Sequence, residues 1–189
     1  MSGDVFHSLK GHFLLAMPSM KDPNFARSVV YLCEHTVDGA MGFIVNRPSH
    51  LMAARDVYQE FKLDHVDAAV NVPVYTGGPV QLDEIFLLHG PPFDHEGTFP
   101  MDEEVALSNS METLSAVARG EGPEKVAIFL GSSGWAAGQL EGELAGNVWL
   151  TVESGIDLIF EVPAEMRWEK ALDRLGIDPV LLSGDFGRA

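Results

Sequence analysis

Residues 126–150 read VAIFLGSSGWAAGQLEGELAGNVWL, and the local pattern changes three times within them. Val126 to Leu130 is an apolar run of strand length. Gly131-Ser132-Ser133-Gly134 is expected to end it as a turn, a helix is expected from Trp135 to Ala145, and a second strand opens at Val148. In such a helix Trp135, Gly138 and Gly142 lie on one side, at offsets of three and four. Two glycines there leave bare backbone for a strand or ligand to approach, and each costs a helix about 1 kcal/mol relative to alanine, so close contact must offset it. Leu140 and Leu144 form one i, i+4 pair and Gln139 and Glu143 another. The turn offers free N–H groups and two hydroxyls, which suit an anion. The commoner use of Ser132 or Ser133 at such a place is to cap the helix.

The remaining chain supplies strands first. His12 to Met17, Ser28 to Glu34 and Met41 to Val45 are apolar runs, the last two joined by a hairpin signal at Asp38-Gly39. Ser49 is placed to cap a helix over 51–62 with Ala54, Val57, Tyr58 and Phe61 on one face. Asn71 to Tyr75 and Glu84 to Leu88 read as strands, 89–100 as a long loop and 105–107 as a brief strand. A helix over 111–119 follows, opened by Asn109 and Glu112 in a capping box, with Met111, Leu114, Val117 and Ala118 facing inward. Ile156 to Val162 reads as a last long strand. The spacing of Trp168, Ala171, Leu172 and Leu175 predicts a helix over 164–175, stopped at Gly176. No linker or repeat divides residues 1–189, so one domain of mixed α and β with mainly antiparallel sheet is expected, with 1–10 and 183–189 loosely ordered.

The chemistry-bearing residues are few. Pro48 holds Arg47 in an extended conformation at a strand end, where its guanidinium and the Asn46 amide suit a carboxylate or phosphate; an internal salt bridge is the commoner fate of such an arginine. Gly77-Gly78-Pro79 makes a turn whose backbone can pass close to something bulky. Trp135 can stack on a planar ligand, although large aromatics are mostly core. Glu141 and Glu143 can act as acid and base, or form a solvated face. His89, Asp94 and His95 share a loop but lack a further strong ligand at a zinc spacing, so no metal and no cofactor is expected. Nucleophile-elbow, P-loop and dinucleotide fingerprints are absent.

A formal net charge of −16 disfavours binding to phosphate backbones, so direct DNA binding is not expected. Cys33, the single cysteine, lies in an apolar run and reads as a buried thiol. No signal peptide and no membrane-length apolar run is visible, which points to the cytoplasm.

Met17-Pro18, Asp22-Pro23-x-Phe25, Ser28 to His35, Gly39-Ala40-Met41-Gly42 with Asn46-Arg47-Pro48, Gly77-Gly78-Pro79-Val80, and Gly131-x-x-Gly134-Trp135-x-x-Gly138-Gln139-Leu140-Glu141 occur in that order. As a set they resemble the YqgE/AlgH family of bacterial proteins, from about Gly11 to Gly184. Ser132 stands where an aromatic residue is usual in that family, and Ala136 where glycine is common. The resemblance implies an α+β fold, a bifurcated and largely antiparallel sheet wrapped into a pseudo-barrel with flanking helices. It also brings a transcriptional-regulator label, but no reaction. The expectation is a non-enzymatic binding or regulatory module. It would hold a small anion or a protein segment near Asn46, Arg47, Gly77, Gly78, Ser132, Ser133, Trp135 and Gln139. A hydrolase or transferase is the alternative.

Overall fold

Strands buried on both faces read as unbroken apolar runs rather than as alternation, and this chain builds such a sheet. The computed structural model describes residues 6–153 and 155–182, with backbone alone at residue 181. Nine strands form one sheet: β1 (Phe13–Ala16), β2 (Val29–Thr36), β3 (Gly39–Ile44), β4 (Val74–Thr76), β5 (Val80–His89), β6 (Thr98–Pro100), β7 (Ala106–Ser108), β8 (Val126–Ala136) and β9 (Trp149–Val152). Their order is β6-β7-β5-β8-β3-β2-β1-β9, antiparallel throughout, and β4 joins β8 in parallel. The sheet curls into a half-barrel with helices packed on it, an α+β fold as the resemblance implies.

Alternate residues of each strand go to different cores. Phe13, Leu15, Val29, Tyr31, Phe86, Leu88 and Phe129 share the core inside the curl, closed by Leu158, Ile159, Trp168 and Leu172. The outer face is divided in two. Leu87, Val126 and Ile128 lie under α1 (Ala54–Glu60) and α2 (Met111–Ala118). Leu14, Val30, Leu32 and Trp135 lie with Leu140 of α3 (Gln139–Ala145).

The division follows from a fork in the sheet. The far half of β8 pairs with β3, Gly42 opposite Ser133 and Ala40 opposite Trp135. Its near half pairs instead with β4, which is wedged in beside the chain that continues β3: Ile44 N–H bonds to Gly77 O, Thr76 N–H to Arg47 O and Gly77 N–H to Leu130 O. At the wedge a Cβ on Gly77 would sit 2.3 Å from Gly131 O, and one on Gly78 2.2 Å from Ser132 O. Only glycine allows backbones that close.

Several expectations fail here for identifiable reasons. Residues 131–134 are not a turn, and Trp135 is not helical. With β5 on one edge (Val80 opposite Ser132) and β3 on the other, ladder hydrogen bonds outweigh the turn preference of Gly-Ser-Ser-Gly. Helix α3 begins only at Gln139, after Gly138 in a left-handed conformation (φ 73°). Nothing approaches Gly138 or Gly142 within 4 Å of a would-be Cβ, so no bare helix face closes on the sheet. Ile156 to Val162 is not a strand: α4 (Asp157–Phe160) occupies it and buries the consecutive Leu158 and Ile159, which a strand would send to opposite faces. Residues 67–71 are a 3₁₀ turn, and Ser110 rather than Asn109 caps α2, accepting the N–H groups of Glu112 and Thr113. Met111 is exposed. Ser49 binds the N–H groups of Leu51 and Met52 ahead of α1, which starts after Ala53. The predicted C-terminal helix is present as a 3₁₀ turn (164–166) running into α5 (Arg167–Arg174), and α6 (Pro179–Leu182) follows. Of the stretches expected to be loose, 1–10 and 183–189, residues 1–5 and 183–189 lie outside the described residues, while within 6–10 Ser8 Oγ donates to His35 O and the Leu9 N–H to His35 Nδ1, both at 2.8 Å.

Candidate functional site

The eight residues singled out in the sequence fall into three groups. Gly77, Gly78, Ser132 and Ser133 meet at the fork. Both serines are fully buried; Ser133 Oγ donates to Gly77 O (3.0 Å) and Ser132 Oγ to Gln81 Oε1 (2.6 Å). Their hydroxyls and amides are spent within the sheet, and the free N–H groups expected of a turn do not exist there.

Asn46 and Arg47 form the second group, and they grip a loop. Asn46 Nδ2 donates to Arg27 O (2.9 Å) while its Oδ1 accepts the Val29 N–H (2.8 Å). Arg47 donates to the carbonyls of Asn24 and Ala26. The guanidinium therefore orders the backbone around Phe25 through carbonyl oxygens rather than through an acid. Asp22 assists from the other end, its carboxylate accepting the Asn24 N–H (2.8 Å) across Pro23.

Trp135 and Gln139 form the third group, and Phe25 faces them. Between residues 19–25, the end of β8, α3 and the start of β9 lies a cleft of about 470 Å³, lined by Met20, Lys21, Asp22, Phe25, Gly134, Trp135, Gln139, Glu143, Val148 and Trp149. Three rings form its wall. Trp135 and Trp149 meet edge to face at 6.0 Å, and Phe25 lies 5.5 Å from Trp149 and 6.0 Å from Trp135.

Glu143 holds this wall. Its Oε2 accepts both indole N–H groups, from Trp135 at 2.9 Å and Trp149 at 2.7 Å. Its Oε1 accepts from Gln139 Nε2 at 3.0 Å, and Gln139 Oε1 in turn takes the Ala136 N–H. One charged group thus ties β8, α3 and β9 together through charge-assisted bonds. A carboxylate offers about four lone-pair sites, so Oε1 keeps room for one more donor. Glu141, two residues earlier on α3, points elsewhere, to His35 Nε2 at 3.0 Å. The two glutamates therefore do not form an acid–base pair.

Sequence reasoning missed Glu143, Phe25 and Trp149 as members of this cleft. The Gln139–Glu143 spacing was the available signal, but nothing in the chain order announced that one carboxylate would serve two tryptophans six and eight residues away.

Other reactive groups are occupied or inaccessible. Cys33 is buried and burial pushes its thiol pKa far up. His89 is buried with Nδ1 2.7 Å from Gly90 O; burial lowers its pKa, the Gly90 carbonyl opposes, and nearby His95 adds to the lowering. Arg167, unremarked in the sequence, is buried and donates to Val162 O, Val45 O and Tyr75 Oη, with burial lowering its pKa. Among the described residues no helix is long and apolar enough to cross a membrane.

Residues 13–180 match the model of the AlgH-like family, DUF179. The chain belongs to that family. Its relatives include UPF0301 proteins of Chromobacterium violaceum, 47% identical over 96% of this chain and 98% of that one, and of Thioalkalivibrio sulfidiphilus, 45% identical over 94% and 95%. Among solved structures, the solution structure of the AlgH protein from Pseudomonas aeruginosa is 44% identical and superimposes with a TM-score of 0.79 over the whole of both chains. Protein DIP2367 of Corynebacterium diphtheriae shares the fold, with a TM-score of 0.73 at 20% identity over 94% of this chain and 93% of that one. The AlgH-like family brings an architecture but no reaction.

Proposed function

We propose that this AlgH-like chain is a non-catalytic binding module that takes a short basic segment of another protein in the cleft beside Phe25, Trp135 and Trp149. The observation that carries the reading is the Glu143 carboxylate, set behind an aromatic wall with one acceptor position unused. Aromatic faces attract cations, most strongly tryptophan. Glu143 and Asp22 outnumber Lys21 among the charges lining the cleft, and the net charge of −16 favours approach of a basic partner. The same balance weighs against a small anion in this cleft and against duplex DNA.

The enzymatic alternative has less support. Ser132 and Ser133 bond to an amide and a carbonyl rather than to a base, and Cys33 is buried as a neutral thiol. A regulatory role exerted through a protein partner remains compatible with the reading.

The test is selection from a random-peptide display library on the full-length protein, counter-screened with Glu143→Gln, which keeps the side-chain size and removes the charge. Enriched peptides carry arginine or lysine beside apolar residues and bind Glu143→Gln about tenfold or more weakly. Selection of acidic peptides, or equal binding to both proteins, overturns the assignment.

A further inference from the structure

In antiparallel sheet a residue turns its N–H and C=O together toward one neighbouring strand, and the next residue turns them toward the other. That alternation can be followed from β3 into the far half of β8. Ile44 N–H bonds to Gly77 O, on the β8 side, while Val45 N–H bonds to Val29 O, on the β2 side. Gly42 and Ala40, two and four residues before Ile44, therefore also face β8, where their partners are Ser133 and Trp135. Ser133 and Trp135 thus turn their backbone groups to β3. Ser132, Gly134 and Ala136 turn theirs to the opposite edge of β8.

On that edge the pairing runs out. β5 starts at Val80, opposite Ser132, and the chain before it comes from β4, on the other side of β8. The Ala136 N–H is taken by a side chain, Gln139 Oε1 at 3.0 Å, which stands where the carbonyl of a further strand would stand. Gly134 lies between these two positions. It is exposed, and among the described residues no strand faces it on that side. Gly134 and Gln139 both line the aromatic cleft, and Gln139 Nε2 donates to Glu143 Oε1 at 3.0 Å. One border of the cleft is therefore an open strand edge, and a single side chain separates that edge from the carboxylate.

We infer that the segment held in the cleft binds as an added strand, extended along β8, exchanging backbone hydrogen bonds with Gly134 and reaching Glu143 with an arginine or lysine. This rests on the reading of the cleft as a site for a basic segment and adds the conformation in which that segment is held. An unpaired edge is a template for a strand. The interior of a helix, whose backbone groups bond to one another, has nothing to offer Gly134. In strand addition the main chain supplies affinity and the side chains supply choice of partner. Here the edge is short, so the aromatic wall and Glu143 carry the choice.

The probe is a basic peptide selected on the full-length protein and resynthesised with each amide in turn replaced by an ester, which removes one N–H donor and leaves every side chain in place. Binding is expected to fall about fivefold or more at one position, or at two positions two residues apart, and to stay unchanged at the alternate ones. Hydrogen exchange of the Gly134 amide is expected to slow at least about tenfold when the peptide is added. Gly142, whose N–H is held by Gly138 O, should exchange as before. A peptide that needs Glu143, tolerates an ester at every position and leaves Gly134 exchange unchanged overturns the added strand while the cleft assignment stands. Equal binding to wild type and Glu143→Gln overturns both.

Discussion

Arg167 shows what a single buried charge does in this fold. The residue is 3% exposed and has no ion-pair partner among the described residues; its guanidinium instead serves two carbonyls and the Tyr75 hydroxyl while lying 5.0 Å over the Tyr75 ring. It thereby ties α5 to the chain just past β3 and to β4, on the inner side of the fork. Arg167→Ala leaves those acceptors buried and unpaired, and should lower stability by about 3 kcal/mol in urea denaturation. Cys33 gives a second prediction at this scale. Burial holds its thiol neutral well above the ordinary pKa of 9.0, so iodoacetamide should label the native protein at pH 8 far more slowly than the urea-unfolded chain. The sign of the linkage follows. Above pH 9 the unfolded chain releases the Cys33 proton and the folded chain keeps it, so stability present below that pH is lost as pH rises. Tyr58, pushed up to about 12 by burial, adds a loss of the same sign above pH 10. Rapid native labelling, or stability that climbs between pH 8.5 and 10, would contradict this.

The element scale separates glycines that look alike in the sequence. Gly77 and Gly142 both read as sites of close approach, yet only Gly77 has backbone against it. Gly77→Ala should destabilise by about 2 kcal/mol or more, because the obstructing atoms are carbonyls of a paired strand that cannot yield without breaking the ladder. Gly142→Ala, in the middle of α3 with open space beside it, should stabilise by about 1 kcal/mol. Thermal or urea melts of the two variants check both signs. The strands at β1, β2, β3 and β7 were legible because apolar runs bounded by Pro18, Glu34 and Asp38-Gly39 carry their own signal. The fork was not, since pairing of β8 with three other strands is a long-range event that overrides the local turn chemistry of Gly131 to Gly134. The last expected strand failed for a related reason: a short apolar run does not distinguish a strand from one buried helical turn. The site was legible in pieces. Trp135 and Gln139 line the cleft, while Asn46 and Arg47, read as ligand groups, stand behind it and hold the Phe25 loop.

At the scale of the whole molecule, the curl of the sheet buries both faces. The aromatic cleft sits on the outer face, where α3 meets the ends of β8 and β9. The charge of −16 acts over all of it. Duplex DNA should show no retardation with this protein in a gel-shift assay at physiological salt, and a complex that weakens steeply as salt rises would contradict that. Binding of a basic peptide should weaken with salt more gently, since few charges are engaged. The most direct test of the cleft assignment is the indole N–H spectrum of the full chain titrated with a display-selected basic peptide. The chain has three tryptophans, and Trp168 reports from the core inside the curl, its N–H held by Ala16 O. The Trp135 and Trp149 signals should move together and saturate while Trp168 stays in place. A peptide that binds with all three signals fixed, or that moves Trp168 alone, contradicts it.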